Sequence, residues 1–169
     1  MDDIDKVAAQ WNKEKPHLDT LPMEIFGRMM RLQKHLEAEI AACHKRYGLT
    51  LGEFDVLATL RRSGEPFSLT PSALLSSMML TSGAMTNRLD KLQVKGLIER
   101  VHSTEDRRSV SVGLTDKGFA IIDEAIEEHV RVQHNLVERL SDTDKPELSG
   151  LLKTWLRSFE ETEKAVEKE

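Results

Sequence analysis

The chain has a single cysteine, Cys43, among its 169 residues, and it has no long apolar run. One cysteine excludes a framework of intramolecular disulfides, the usual device of small secreted domains. No apolar run approaches the roughly 20 residues that a bilayer span needs. The acidic beginning, MDDIDKVAAQW, also lacks the apolar segment of a signal peptide. These absences predict a soluble protein of a reducing cytoplasm, with no membrane partner.

The side-chain groupings of catalysis are also absent from the sequence. There is no glycine-rich phosphate loop, no nucleophile elbow, and no pair of carboxylates placed for acid–base work. The six histidines are scattered along the chain without the spacing of a metal site. We therefore expect a protein that is not an enzyme and that needs no metal and no cofactor.

Charge is distributed unevenly, although the chain as a whole carries a formal net charge of −5. Residues 1–60 carry −2, residues 61–118 carry +3, and residues 119–169 carry −6. DNA binding requires a local basic surface rather than a basic protein. A mildly basic middle between acidic ends therefore favours a DNA-facing region in the central third of the chain.

The two ends of the chain have the periodicity of long amphipathic helices. Pro22 opens one that runs to about Tyr47. Near the other end, Thr115 can cap a helix to about Leu140, and Ser141 can cap the last one. One small domain cannot bury all of these apolar stripes, which predicts a homodimer. The alternative is that the stripes fold back on their own chain.

In the middle of the chain, residues that typically begin or end helices indicate several short helices followed by a hairpin. Thr50-Leu51-Gly52-Glu53 is a capping box, and Thr70-Pro71 begins the next helix by a similar logic. Thr81 can cap a fourth helix, which Gly96 ends. Residues 97–114 then form two apolar strands with a polar tip. A short polar helix followed by such a hairpin is the layout of a winged helix-turn-helix, in which the helix enters the major groove of DNA.

The candidate DNA contacts lie on three short segments. Small and polar residues on the fourth helix allow close approach, and Asn87 can address an adenine edge. At the hairpin tip, either Arg107 or Arg108 enters the minor groove while Asp106 holds the loop; the alternative is a solvated charge cluster. Met85, Leu89 and Leu92 are expected in the core. The predicted DNA-binding set is Thr70, Pro71, Ser72, Ser82, Gly83, Ala84, Thr86, Asn87, Arg88, Lys91, Arg107 and Arg108.

Three strings, GEFDVLATL, LTSGAMTNRLDKLQVKGLIER and EDRRSVSVGLT, resemble the MarR family of bacterial regulators. The resemblance implies a mainly α fold, namely a winged helix-turn-helix DNA-binding domain with long N- and C-terminal dimerisation helices. It also implies a homodimer on a pseudo-palindromic operator. The expected organisation is an extension helix at 1–21 and a single domain at 22–165. Within that domain, the lobe spans about 50–115, and the dimerisation regions are 22–48 and 116–165.

The N-terminal segment, with Gln10-Trp11 and the string from Lys15 to Met23, resembles the urate-responsive branch of that family. The resemblance implies a ligand set of Trp11, Asp55, Arg88 and Arg100. The aromatic side chain can stack on the planar ring of a ligand, and an arginine can donate hydrogen bonds to an anionic oxygen of that ligand. In the empty protein, Asp55 would pair with Arg88 or Arg100. The alternatives are a packing role for Trp11, a structural Asp55–Arg88 ion pair, and a phosphate contact or solvated position for Arg100.

The combined interpretation is a sequence-specific transcriptional regulator, in the form of a repressor. It would be released from double-stranded operator DNA by a small aromatic anionic effector such as urate or a phenolic compound. One alternative is a winged-helix protein-interaction module without an operator. Another is a redox-responsive regulator that uses Cys43, although the position of that cysteine on an apolar stripe favours simple packing.

Overall fold

The computed structural model describes residues 1–79, 85–102 and 110–166. Its contacts divide the chain into two compact units, Met1–Val132 and Gln133–Glu169. The first unit contains most of the helices and one small sheet, while the second is helical. The mainly α class with a winged hairpin is therefore confirmed.

The first unit begins with two helices, α1 (Asp3–Glu14) and α2 (Leu21–Arg46). The side chain of Asp2 caps α1 by accepting hydrogen bonds from two backbone N–H groups of its first turn. Arg28 of α2 reaches back to Asp2 at 2.9 Å and to Asp5 at 2.5 Å. These ion pairs hold the extension helix against α2. The bounds of α2 agree with the predicted ones to within one residue.

The next two helices are α3 (Leu51–Arg62) and α4 (Pro71–Ser77). The predicted capping box of α3 is confirmed: Glu53 N–H donates to the Thr50 hydroxyl at 3.2 Å, and Thr50 N–H donates to the Glu53 carboxylate at 2.8 Å. Thr70 accepts from Ala73 N–H at 3.2 Å and so caps α4. Local side-chain to backbone bonds therefore fix both starts.

Helix α5 (Met85–Val94) precedes the hairpin formed by β2 (Ile98–His102) and β3 (Val110–Leu114). Gly96 has a φ of +69° and turns the chain out of the helix, as expected. The hairpin is antiparallel, and Ile98 lies opposite Leu114. A strand that the sequence did not predict, β1 (Ser68–Leu69), pairs with the other edge of β3. The predicted cap Thr81 and the hairpin tip lie outside the described residues.

One hydrophobic core joins the short helices, the hairpin and the start of the next helix. Its members come from α3, α4, α5, β2, β3 and α6 (Asp116–Leu136), together with two leucines of the connecting segments. Thr115 accepts from Gly118 N–H at 3.0 Å at the beginning of α6. The side chains with 0% exposure include Val56, Leu57, Leu60, Leu74, Leu92, Val112 and Ile122. This core fixes the position of α5 relative to the hairpin.

Helix α6 ends four residues before the expected Leu140, and α7 (Asp144–Val166) follows. The hydroxyl of Ser141 accepts from Asp144 N–H at 3.1 Å, so the predicted capping role of Ser141 is confirmed. None of the described helices combines the length and the apolar character that a membrane span requires.

Candidate nucleic-acid interface and effector residues

Helix α5 has one buried face and one exposed polar face. Leu89 and Leu92 are 4% and 0% exposed and belong to the core, as expected. Thr86, Asn87 and Lys91 are exposed on the opposite side. A helix that is fixed from behind by apolar packing presents its polar face in one defined orientation. That arrangement is what major-groove readout requires.

The other predicted DNA contacts divide into described and undescribed residues. Thr70, Pro71 and Ser72 are exposed at the beginning of α4, where first-turn N–H groups can meet a phosphate. The remaining members of the set lie outside the described residues: Ser82, Gly83, Ala84, Arg107 and Arg108. All twelve DNA contacts remain predictions.

Arg100 of β2 is held by two side chains of α5. Its Nη2 lies 2.6 Å from Asp90 Oδ1, and its Nη1 donates to Gln93 Oε1 at 3.1 Å. Asp90 on the neighbouring helix therefore holds Arg100, and the predicted pairing of Asp55 with Arg88 or Arg100 stays a prediction. The Asp90–Arg100 pair connects the first wing strand to the candidate recognition helix. Sequence spacing alone gave no sign of it.

Of the other members of the predicted effector set, Asp55 lies on α3 and Arg88 of α5 packs against the same helix. Asp55 is 6% exposed and accepts from Met79 N–H at 3.4 Å. The Arg88 side chain lies directly over Gly52, and a Cβ placed on that glycine would collide with the Arg88 guanidinium. Gly52 and Asp55 are one helical turn apart, so both arrangements involve the first half of α3.

Trp11 lies on α1, which packs against α2. Its side chain is 40% exposed. Among the described residues, no hydrogen bond or ring contact joins Trp11 to the other three members of the set. The ligand set therefore remains a prediction. Within one chain, the aromatic residue of the set, Trp11, lies on the extension helix, whereas its three charged residues lie on the lobe.

Two histidines that are far apart in the sequence meet where α2, α3 and α6 pack together. His44 Nε2 lies 3.0 Å from His129 Nδ1, and the Phe54 ring stacks on His44 with centroids 3.7 Å apart. His44 is 2% exposed. Burial, followed by the proximity of His129, lowers the pKa of His44 to about 4, and burial also lowers the pKa of His129. Both rings are therefore neutral at physiological pH.

Cys43 is buried at 1% exposure on α2. That position is the packing role expected for it and gives no support to the redox alternative. Within the part of the chain that the structure describes, no group of three or more potential ligands is placed to hold a metal ion.

Residues 49–110 match the model of the MarR family. The chain is 36% identical over 150 residues to the transcriptional regulator PecS of Dickeya dadantii, a match that covers 89% of this chain and 90% of PecS.

Solved structures give the same result for the fold. Wild-type MarR from E. coli superposes with a TM-score of 0.62 at 27% identity, covering 77% of this chain and 96% of MarR. BpsR of Bordetella bronchiseptica, whose DNA binding is regulated by 6-hydroxynicotinic acid, gives a TM-score of 0.68 at 20% identity. That match covers 78% of this chain and 91% of BpsR.

Proposed function

This chain belongs to the MarR family of DNA-binding transcriptional regulators, and from that premise we propose that it is a ligand-released repressor. It would act as a homodimer in the cytoplasm on a pseudo-palindromic operator. The observation that carries this proposal is the polar face of α5, with Thr86, Asn87 and Lys91 exposed while Leu89 and Leu92 anchor the helix from behind. The wing strands continue directly from this helix.

The homodimer is supported by apolar side chains that one chain leaves exposed on its long helices. Phe26 and Met30 of α2 are 56% and 72% exposed, and Leu151 and Phe159 of α7 are 64% and 57% exposed. Patches of this kind mark association surfaces in stable proteins. Two copies would bring two recognition helices to half-sites one helical turn of DNA apart.

Release by an effector would act through the arginines of α5 and β2. An arriving aromatic anion would compete with Asp90 for Arg100 and would be attracted by Arg88. Because Arg88 lies on α5 and Arg100 leads into the wing, either exchange would move an element that reads DNA. Effector and operator would then oppose each other, with a coupling of typically about 1–3 kcal/mol. The regulation of BpsR by an aromatic acid is a precedent in a protein of the same fold.

A mobility-shift experiment on the DNA that flanks the gene for this chain tests operator binding. We expect a specific shift that weakens about tenfold or more in Asn87→Ala, because a bidentate base contact is worth roughly 1–3 kcal/mol. Asn12→Ala is the matched control, since Asn12 is exposed on α1. The double variant Arg107→Ala/Arg108→Ala should bind more weakly and flatten the salt dependence. Unchanged binding across a salt series would contradict the wing assignment.

Fluorescence titration with urate, xanthine and salicylate tests the effector set. The chain has two tryptophans, so each is read separately. We expect quenching in the wild type and in Trp155→Phe, and its loss in Trp11→Phe. If none of these ligands changes the emission of any of the three proteins, the proposed pocket is wrong.

A further inference from the structure

The chain turns from α5 into the first wing strand over three residues, Lys95, Gly96 and Leu97, which we call the α5–β2 joint. The backbone carbonyls of all three accept hydrogen bonds from the segment that begins α6. Lys117 Nζ donates to the first at 2.9 Å, the Thr115 hydroxyl donates to the second at 2.7 Å, and the Thr115 N–H donates to the third at 3.2 Å. The joint is therefore held by a segment outside the helix and the strand that it connects.

The first turn of α6 packs directly on the backbone of the α5–β2 joint. A Cβ placed on Gly118 would lie only 1.9 Å from the Leu97 carbonyl oxygen, so glycine is what allows the two backbones to approach. The Thr115 hydroxyl, which donates to Gly96, also accepts from Gly118 N–H at 3.0 Å. One hydroxyl thus uses its donor and an acceptor site at once and links the beginning of α6 to the end of α5.

The side chain of Lys95 anchors the α5–β2 joint to a further helix. Its Nζ lies 2.8 Å from both carboxylate oxygens of Glu53 on α3 and donates to the Gly48 carbonyl at 2.8 Å. Burial alone would raise the pKa of Glu53, but the Lys95 ammonium and the Thr50 N–H outweigh it, and the pKa lies below its usual value. Glu53 is therefore ionised at neutral pH, and Lys95 is held by its side chain as well as by its carbonyl.

The orientation of α5 is sensitive to the joint because a tilt about one end of a helix grows along its length. α5 has 10 residues and is therefore about 15 Å long. A tilt of about 5° at the joint would move its other end by about 1.3 Å. Hydrogen bonds to base edges tolerate only a few tenths of an ångström. The electrostatic attraction of DNA phosphates for cations falls off slowly with distance and is less affected by such a tilt.

We propose that Thr115 and Lys117 are positioning residues for sequence-specific DNA binding. They act through the backbone of the α5–β2 joint and fix the angle at which the recognition helix and the wing diverge from it. The inference rests on the proposed function, because it takes α5 as the helix that reads bases. The apolar face of α5 decides which side points outward, and the joint decides its tilt. A movement of α6 would then reach both DNA-reading elements.

Binding of the full chain to its operator and to a scrambled duplex of equal length tests the proposal. Thr115→Val keeps the shape of the side chain and removes both hydrogen bonds of the hydroxyl. We expect operator affinity to fall about tenfold while binding to the scrambled duplex is unchanged, because phosphate contacts carry the latter. Thr115→Ser retains the hydroxyl and should bind as the wild type does. Thr154→Val is the matched control, since the Thr154 hydroxyl donates to the Gly150 carbonyl within α7, and it should also leave both affinities unchanged.

Lys117→Met separates a positioning role from a direct phosphate contact. The methionine keeps an unbranched side chain but cannot donate to the Lys95 carbonyl. We expect operator binding to weaken severalfold, with the salt slope on the scrambled duplex unchanged. A slope reduced by about one would show that Lys117 neutralises a phosphate and would overturn its assignment.

Amide hydrogen exchange, followed by NMR without DNA, tests the joint itself. Lys95 N–H and Gly96 N–H donate to the Lys91 and Gln93 carbonyls at the end of α5. Both should exchange severalfold faster in Thr115→Val than in the wild type, because the end of the helix is released. Equal exchange rates in the two proteins, or equal losses of affinity for the operator and the scrambled duplex, would overturn the proposal. A wild type that binds no operator would contradict the proposed function instead, since the exchange rates report on the joint without DNA.

Discussion

Large apolar side chains are buried in the winged lobe, whereas many of those on the long helices are exposed. In the lobe, Leu57, Leu74 and Leu92 are completely buried, whereas Leu151 of α7 and Phe26 of α2 are 64% and 56% exposed. Apolar surface is stabilising only when it is removed from water, at roughly 25 cal/mol per Å². The lobe therefore completes its core within one chain, but the long helices do not. In the proposed homodimer, this difference would separate the part that reads DNA from the part that brings two copies together.

The largest effect is expected from disrupting the surface that the long helices leave exposed. Leu151→Asp with Leu156→Asp places two charges on the apolar face of α7, where they cannot be buried without a large cost. We expect the mass in sedimentation equilibrium to fall to that of one chain, 19.2 kDa, and operator affinity to fall by orders of magnitude. Circular dichroism should still show a folded lobe.

Lys153→Asp is the control for that change, because it also introduces an aspartate on an exposed part of α7. It should keep the mass of two chains. A wild-type mass of one chain, or an unchanged mass in the double variant, would remove the distinction between the two regions.

Next in size is the loss of a buried leucine from the lobe. Leu74 is 0% exposed and its neighbour Leu75 is 41% exposed, so α4 offers a matched pair. Leu74→Ala should lower the free energy of unfolding by about 2–5 kcal/mol, because it removes buried methyl groups and leaves a cavity. Leu75→Ala should cost less than about 1 kcal/mol. Denaturant titration measures both, and equal losses would show that the lobe core is not closed around Leu74.

The next prediction concerns the pH dependence of stability, which we expect to depend on the pair of His44 and His129. Because the pKa of His44 falls from 6.5 to about 4 on folding, the unfolded chain binds more protons between these values. The contribution of His44 to the free energy of unfolding is therefore most favourable above about pH 6.5. The free energy of unfolding decreases as the pH falls from there toward 4, by up to about 3 kcal/mol. The nearby carboxylate of Glu128 is already held by Arg46 and Arg131, at 2.5 and 2.6 Å.

His44→Gln should flatten the pH dependence of the unfolding free energy between pH 6.5 and 4. His35→Gln, at an exposed position of the same helix, should leave the wild-type dependence unchanged. The same pH slope in all three proteins would show that the pair has no part in acid sensitivity.

The smallest effect is expected at the surface of the lobe. Asp90→Asn breaks the 2.6 Å ion pair with Arg100, but Asp90 is 56% exposed and Arg100 is 33% exposed. Exposed pairs contribute roughly 0–1 kcal/mol, so the unfolding free energy should hardly change. Asp123→Asn breaks the comparable pair with Arg61 and should behave likewise. A loss comparable to that of Leu74→Ala would mean that surface charge, rather than the core, stabilises the lobe.

The sequence predicts the features of this fold that neighbouring residues determine. The Thr50 and Glu53 capping box, the helix end at Gly96 and the hairpin after it were all predicted and confirmed. Each depends on hydrogen bonds or backbone angles within a few residues, so the local sequence is sufficient.

Contacts between distant residues were not predictable in this way. His44 and His129 are 85 residues apart, and the ion pair of Arg100 with Asp90 depends on side-chain geometry that only the packed lobe defines. The strand β1 was missed because two residues have too little periodicity to identify a strand.

The most direct test of the central claim is the mass, by light scattering, of the complex with a palindromic duplex taken from the flanking DNA. We expect two chains per duplex, because in the proposed homodimer each lobe would read one half-site and the long helices would join the two lobes. A complex with one chain per duplex, or no complex at a salt concentration where the free protein has the mass of two chains, would contradict it.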